Sequence, residues 1–203
     1  MVARVVMVLM VMHVSLALVG ALKTCDKCGS MEVPYPLSTN QNCGDPRYKI
    51  YCNSNVLEFV SAEKSIYKIL SINPSKYTFV SPPTIKSGTC QSSDLMVGGL
   101  RLDEDLPFHI SPRNTVMLLN CAENILLSPL NCSSTSLFRK FEEGNACRNE
   151  LCCTYLKDAS MNQHKIRVRV GGCTAYTCVV NMNPNNPPSS WNYGIELQWL
   201  SLP

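Results

Sequence analysis

The sequence predicts a mainly β, disulfide-rich fold: two short-stranded antiparallel β lobes with long loops and at most one or two short helices. Three observations predict it. Twelve cysteines in 203 residues lie behind an N-terminal apolar run of secretory type. Short runs of β-branched and aromatic residues alternate with turn residues from Asn, Pro and Gly. Helical periodicity is almost absent. Charged residues are only 16% of the chain and the net charge is +3. That bias is too weak to imply nucleic acid and is compatible with an acidic ligand.

Residues 1–21 begin with the single charge of Arg4, continue through an apolar run and end in Val19-Gly20-Ala21. This is the build of a cleaved signal peptide. The alternative is an uncleaved anchor: Val5–Leu22 just reaches spanning length, although His13, Ser15 and Gly20 interrupt it. The expected location is therefore secreted and extracellular, with no membrane span after cleavage.

In an oxidising compartment, an even cysteine set reads as a disulfide framework. The set is Cys25, Cys28, Cys43, Cys52, Cys90, Cys121, Cys132, Cys147, Cys152, Cys153, Cys173 and Cys178. Six bridges are expected and the connectivity is open. Cys152 and Cys153 are adjacent, so a bridge between them would strain the link; different partners are expected. Zinc at Cys25-x-x-Cys28 would need a second ligand pair, which the sequence does not provide. Neither a metal nor a cofactor is expected. Asn131-Cys132-Ser133 is a sequon, so Asn131 is a candidate glycosylation site.

The mature chain reads as strands in order. Tyr48–Cys52 and Val56–Val60 flank Asn53-Ser54-Asn55 as a hairpin. Tyr67–Ile72 and Tyr77–Val80 flank the turn Asn73-Pro74-Ser75-Lys76. Met96–Leu100, with Gly98-Gly99, suggests a tight turn between apolar arms. Val116–Cys121 reads as a buried strand. Lys165–Val170 alternates strictly. Cys173–Val180 and Gly194–Trp199 close the series. Ser136–Glu143 is the one helix candidate, with Ser136 as N-cap and Gly144 as stop. A soft boundary near Pro82–Gly88 divides residues 25–88 from residues 89–199. Trp191, Tyr193 and Trp199 are expected to close the core of the second lobe.

The chemistry of catalysis is absent from the motifs. No nucleophile elbow, zinc-protease helix, phosphate loop or dinucleotide fingerprint occurs. Beyond residue 21, only His109 and His164 offer an imidazole, the first in an apolar setting and the second in a polar one. Asp103-Glu104-Asp105 is expected to be a solvated acidic loop rather than a carboxylate pair across a cleft.

Three blocks carry a family resemblance. The first is Cys25-Asp26-Lys27-Cys28-Gly29 with Val33-Pro34-Tyr35-Pro36-Leu37. The second runs from Cys43-Gly44-Asp45-Pro46 to Cys52. The third is Trp191–Trp199. Together they resemble the extracellular region of plant wall-associated receptor kinase-like proteins, the first two blocks resembling its galacturonan-binding domain. The resemblance implies a non-catalytic module that recognises pectin, de-esterified homogalacturonan, in the cell wall. Receptors of that family continue into a membrane span and a kinase, and some carry EGF-like repeats. This chain has none of these and is expected to be an ectodomain alone, membrane-associated if it is a piece of a receptor. The alternative reading is a protein-interaction ectodomain that binds a peptide or another receptor ectodomain.

A polymer of carboxylates needs spaced cations and aromatic faces. Lys165, Arg167 and Arg169 fall at alternate positions of one strand, about 6.6–6.8 Å apart, and arginine forks match carboxylates. The bland reading is the wet face of an antiparallel strand. Arg47 and Lys49 form a second basic pair inside the family block. Tyr35, Tyr48 and Tyr51 are candidate stacking platforms, with burial of at least one expected.

Overall fold

A computed structural model of the chain describes residues 24–86, 89–121, 154–156, 161–167, 173–183 and 185–200. The predicted helix over Ser136–Glu143, the sequon at Asn131, and Arg169 lie outside the described residues.

The fold is mainly antiparallel β, as the sequence predicts. A six-stranded sheet runs in the order β1-β2-β3-β4-β12-β5. Its strands are β1 (Tyr51–Asn53), β2 (Val56–Val60), β3 (Ile66–Asn73), β4 (Tyr77–Val80), β5 (Phe108–Ile110) and β12 (Ile195–Trp199). A four-stranded sheet runs β11-β10-β6-β7, from β6 (Asn114–Cys121), β7 (Thr154–Leu156), β10 (Cys173–Val180) and β11 (Asn192–Tyr193). A two-stranded ribbon joins β8 (Met161–Asn162) to β9 (Lys165–Ile166).

The alternation that predicts the strands also decides which faces are buried. In β2, Leu57 and Phe59 are buried while Val56, Glu58 and Val60 are partly exposed. In β4, Thr78 and Val80 are buried and Tyr77 and Phe79 are half-buried. In β10 nearly every residue is buried, because the strand lies between two neighbours and is packed on both faces. One large core, containing Leu37, Tyr48, Phe59, Phe108, Tyr176 and Trp199 among others, runs beneath both larger sheets.

Four differences from the sequence reading have physical causes. Tyr48 is not in β1. Pro46 fixes the first position of a short 3-10 turn, Pro46–Tyr48, and Asp45 caps it by accepting from the Arg47 amide, so β1 begins only at Tyr51. The Met96–Leu100 segment is a 3-10 turn over Leu95–Val97, stopped by left-handed Gly98, rather than a hairpin between strands. Strands β5 and β12, from beyond residue 88, join the sheet of residues 51–80, so the expected halves 25–88 and 89–199 do not divide the sheets. Trp199 accordingly packs in the main core with Tyr48 and Phe108; Trp191 packs apart, with Met117 and Val179.

The cysteine expectation also needs correction. Cys25–Cys43 and Cys28–Cys52 are bonded, with Cα atoms 4.9 and 5.8 Å apart. The Cys25-x-x-Cys28 pair is thus split between two bridges and holds no metal. Cys90 and Cys173 are disulfide-bonded as well. Cys178, however, is a free and fully buried thiol. Its cross-strand neighbour is Val116, so no second sulfur stands opposite it.

Glycine is required where β12 begins. Gly194 has φ +155°, and a Cβ there would lie 2.3 Å from the Phe79 ring. The bare backbone lets that ring lie close to the strand.

Candidate functional site

The N-terminal loop is held by its two disulfides and by local backbone bonds. The Tyr35–Pro36 peptide is cis. The Asp45 amide donates to the Pro36 carbonyl at 2.9 Å, and Ser38 exchanges backbone bonds with Tyr48 and Ile50. Gly44 sits at φ +63°, where a Cβ would lie 2.1 Å from the Leu37 carbonyl oxygen. This close approach brings Asp45 and Arg47 up beside Tyr35.

Facing that loop is the β3–β4 turn. Lys76 occupies it with φ +80°, and its carbonyl accepts from the Trp199 amide at 3.0 Å. Between loop and turn lies an open cleft of about 280 Å³, lined by Tyr35, Pro36, Asp45, Arg47, Tyr48, Pro74, Lys76 and Trp199. Tyr48 and Trp199 are almost fully buried and form its floor. Tyr35 is 42% exposed and forms its aromatic edge.

The cleft holds two cations and one carboxylate. Asp45 binds Arg47 in a fork, Nε to Oδ1 at 3.0 Å and Nη2 to Oδ2 at 2.7 Å. The Arg47 guanidinium holds the Asp45 carboxyl below the usual range, and Asp45 raises the arginine in turn. The Arg47 side chain is exposed, while that of Asp45 is only 14% exposed; with one partner open to water, the pair orders the guanidinium more than it stabilises the fold. Lys76 has no ion-pair partner among the described residues. The net charge of the cleft is positive.

The predicted site residues divide around this cleft. Tyr35 and Arg47 line it. Tyr48 lines it too, but as core: its hydroxyl donates to the Leu200 carbonyl, and its ring meets Phe108 edge-on at 6.1 Å. Its ring face is therefore not a stacking platform. Lys49 is exposed beside the cleft, with Nζ 4.8 Å from the Tyr51 ring centre. Lys165 and Arg167 are elsewhere. Lys165 is half-buried, Ile166 is buried and Arg167 is exposed, which follows the predicted alternation that far. The Lys165 backbone forms an isolated antiparallel β-bridge with that of Arg101, whose side chain pairs with Glu63 at 3.5 Å. Asp103, Glu104 and Asp105 are exposed in a turn where the Asp105 amide donates to the Asp103 carboxylate.

Sequence reasoning missed Lys76 and Trp199 as cleft residues. Lys76 was legible only as a turn residue. Nothing in local spacing pairs it with Arg47; the return of β12 beside β4 brings them together.

A disulfide-stapled β module with an open cationic cleft has the build of a binding domain for an acidic ligand. Residues 24–81, which contain every lining residue except Trp199, match the family model described as wall-associated receptor kinase galacturonan-binding. Over 185 residues the chain is 43% identical to wall-associated receptor kinase-like 20 of Arabidopsis thaliana, covering 86% of this chain and 28% of that protein. It is 39% identical over 193 residues to wall-associated receptor kinase-like 15 of the same plant, covering 88% of this chain and 30% of that protein. No solved structure matches the chain. The chain thus carries a galacturonan-binding-type domain and is related over most of its length to wall-associated receptor kinase-like proteins, although it spans under a third of their length. Among the described residues no helix is long and apolar enough to cross a membrane.

Proposed function

We propose that this chain is a non-catalytic, extracellular module that binds pectin through the free carboxylates of de-esterified homogalacturonan. The observation that carries the reading is the placement of Arg47 and Lys76 on opposite walls of one cleft, beside exposed Tyr35, within the matched domain. Each solvated cation–carboxylate contact is worth about 1 kcal/mol or less. Useful affinity therefore comes from repeated engagement along one polymer, and it weakens as salt rises. Asp45 orients Arg47 while leaving the outer edge of its fork to a ligand. The basic residues Lys165, Arg167 and Arg169 are assigned a secondary role along the same polymer.

The test is retention of the full chain, produced by secretion, on de-esterified homogalacturonan across a salt series. An Arg47→Glu, Lys76→Glu variant loses retention at low salt, whereas Lys165→Glu, Arg167→Glu, Arg169→Glu weakens it less. Absence of binding by well-folded protein at low salt overturns the proposal.

A second reading, contact with a peptide or a receptor ectodomain, has its own observation. Met96 is 86% exposed and Val97 46%, at the tip of the turn anchored by Asp94. Exposed apolar side chains on a fixed turn are suited to protein contact. Capture of a receptor ectodomain that Met96→Ser, Val97→Ser abolishes, with no retention on pectin, would favour this reading.

A further inference from the structure

His109 and His164 are far apart in the sequence and together in the fold. His109 is on β5, opposite Gln198 of β12. His164 is in the turn between β8 and β9, where its amide donates to the Asn162 side chain at 2.8 Å. Two backbone bonds hold that turn against β5 and the segment before it. The Ile110 amide donates to the Gln163 carbonyl at 2.7 Å, and the Leu102 amide to the His164 carbonyl at 2.8 Å. The two imidazole rings meet edge-on, with centres 4.8 Å apart and planes at 89°.

Nε2 of His164 is shielded from solvent and has no hydrogen-bond partner among the described residues. A buried polar atom without a partner in a native fold points to a group that fills the gap, a water or an ion. The ring spacing fits an ion. Two imidazoles bound to one metal at about 2.0–2.1 Å, at an angle of about 90–110°, have ring centres about 4.5–5.2 Å apart. The observed spacing falls in that interval.

The surroundings select the metal. His109 also lines an open concavity of about 380 Å³, together with Met161, Asn162, Gln163 and Gln198. Met161 belongs to the ribbon that carries His164, is paired with Ile166 and packs against the main core. Among the described residues no three His, Cys, Asp or Glu side chains gather for a metal, so a third protein ligand is of another kind. The donors present are two imidazoles, a thioether and side-chain amides. Calcium and magnesium take oxygen ligands, and zinc sites are usually completed by cysteine, histidine or carboxylate. Imidazole suits copper, thioether favours Cu(I), and Cu(II) binds nitrogen donors above zinc.

We propose that His109, His164 and Met161 form a copper site at the junction of β5 and the β8–β9 ribbon. The concavity is the path by which the ion enters, and a water or an amide oxygen takes the remaining position. The bound ion pins the ribbon to the edge of the six-stranded sheet. The site is independent of the pectin reading, since the concavity shares no lining residue with the cleft of Arg47 and Lys76.

The test uses the full chain produced by secretion, stripped of metal with EDTA and then exchanged out of it. Cu(II) chloride is the first probe. Electron paramagnetic resonance of the one-to-one complex shows coupling to two nitrogens, and the unfolding midpoint rises with copper and returns when EDTA is restored. Coupling to fewer than two nitrogens overturns the proposal, as does displacement of the copper by equimolar zinc chloride. Cu(I), kept reduced with ascorbate, is the second probe, with bicinchoninate as competing chelator. His109→Gln, His164→Gln lowers affinity for both ions by at least about tenfold, the loss that disturbing even an outer partner of a metal ligand brings. Met161→Leu, close in volume, lowers Cu(I) affinity by about tenfold and leaves Cu(II) affinity within about twofold, because the thioether is a soft ligand. Cu(I) affinity unchanged by Met161→Leu overturns the site. The cysteines are the same in every variant, so copper held by a thiol gives equal affinities throughout, which also overturns it. The metal-free unfolding midpoint checks that each variant folds, and the nitrogen count on the unmodified chain needs no variant.

Discussion

Tyr67 on β3 and Tyr176 on β10 donate to the same carboxyl oxygen of Asp94, at 2.7 and 2.5 Å. One donor comes from the six-stranded sheet and the other from the four-stranded sheet, so Asp94 joins the two across the core. Asp94 is 1% exposed. Its backbone carbonyl also accepts from the Val97 and Gly99 amides, which fixes the turn carrying Met96. Tyr176 closes the network by accepting from the Leu100 amide at 3.1 Å.

This clamp sets the first prediction. Asp94→Ala strands two buried tyrosine hydroxyls and costs about 2–6 kcal/mol, summing two unsatisfied groups. Tyr67→Phe removes one donor and costs about 1–2 kcal/mol. Urea unfolding monitored by tryptophan fluorescence measures both. An Asp94→Ala cost below that of Tyr67→Phe would show that the sheets are held by apolar packing alone.

The same buried groups predict alkaline sensitivity. Burial raises the hydroxyls of Tyr67 and Tyr176 far above the ordinary tyrosine value, and burial raises the Cys178 thiol likewise. The folded state keeps these protons after the unfolded chain has lost them. Their contribution is complete below the ordinary thiol value of about 8.5 and declines as pH rises through the tyrosine value of about 10. The unfolding midpoint should therefore fall between pH 8.5 and pH 11. Tyr67→Phe should flatten the upper part of that fall, and an unchanged slope would remove Tyr67 as its source.

The three strands that the sequence places most accurately, Val56–Val60, Tyr77–Val80 and Cys173–Val180, are those where burial alone writes the pattern. In the first two, buried and more exposed residues alternate; in the third, both faces are largely dry and the run is apolar apart from Thr174 and Thr177. Position in a sheet is a different matter. No local feature of Ile195–Trp199 shows that it pairs with Tyr77–Val80 rather than with a nearer strand, because that choice is made by non-local packing. The site follows the same division. Arg47 and Tyr35 were legible because a short, cysteine-bounded loop carries both. Lys76 was not, because its role exists only once β12 has closed the sheet. Tyr48 reads as a candidate stacking platform at the start of the strand Tyr48–Cys52, yet the Pro46 turn places it in the core.

On the acid side, His109 is the group to watch. Burial lowers its imidazole below the ordinary value, and the charge of His164, whose ring is 4.8 Å away and edge-on, lowers it further. The unfolded chain takes up the proton first. Stability is therefore complete above about pH 6.5 and is lost as pH falls toward the lower folded value. Asp45, also lowered, acts separately at still lower pH, with a small contribution because its partner Arg47 is exposed to water. His109→Gln should bring the midpoints at pH 5.5 and pH 7.5 together. A wild type with equal midpoints at those two values would contradict the prediction.

The Asp45–Arg47 fork makes a prediction of opposite sign to ordinary site mutations. Asp45 competes with a ligand carboxylate for the guanidinium, and among the described residues it is the only carboxylate lining the cleft. Asp45→Asn removes that competition and leaves Arg47 and Lys76 as uncompensated cations. Retention on de-esterified homogalacturonan at low salt should strengthen by up to about fivefold, the equivalent of about 1 kcal/mol for an exposed pair. The dependence on salt should steepen, since the gain is electrostatic. Lys76→Ala should weaken retention by a similar factor, and Lys49→Ala, which sits outside the lining, by less. The counterweight is order: Asp45 also caps the 3-10 turn by accepting from the Arg47 amide at 3.0 Å. Asparagine keeps an oxygen for that cap, so Asp45→Asn separates charge from capping where Asp45→Ala would not. If Asp45→Asn weakens binding, the fork serves to aim Arg47, and preorganisation outweighs competition in this cleft.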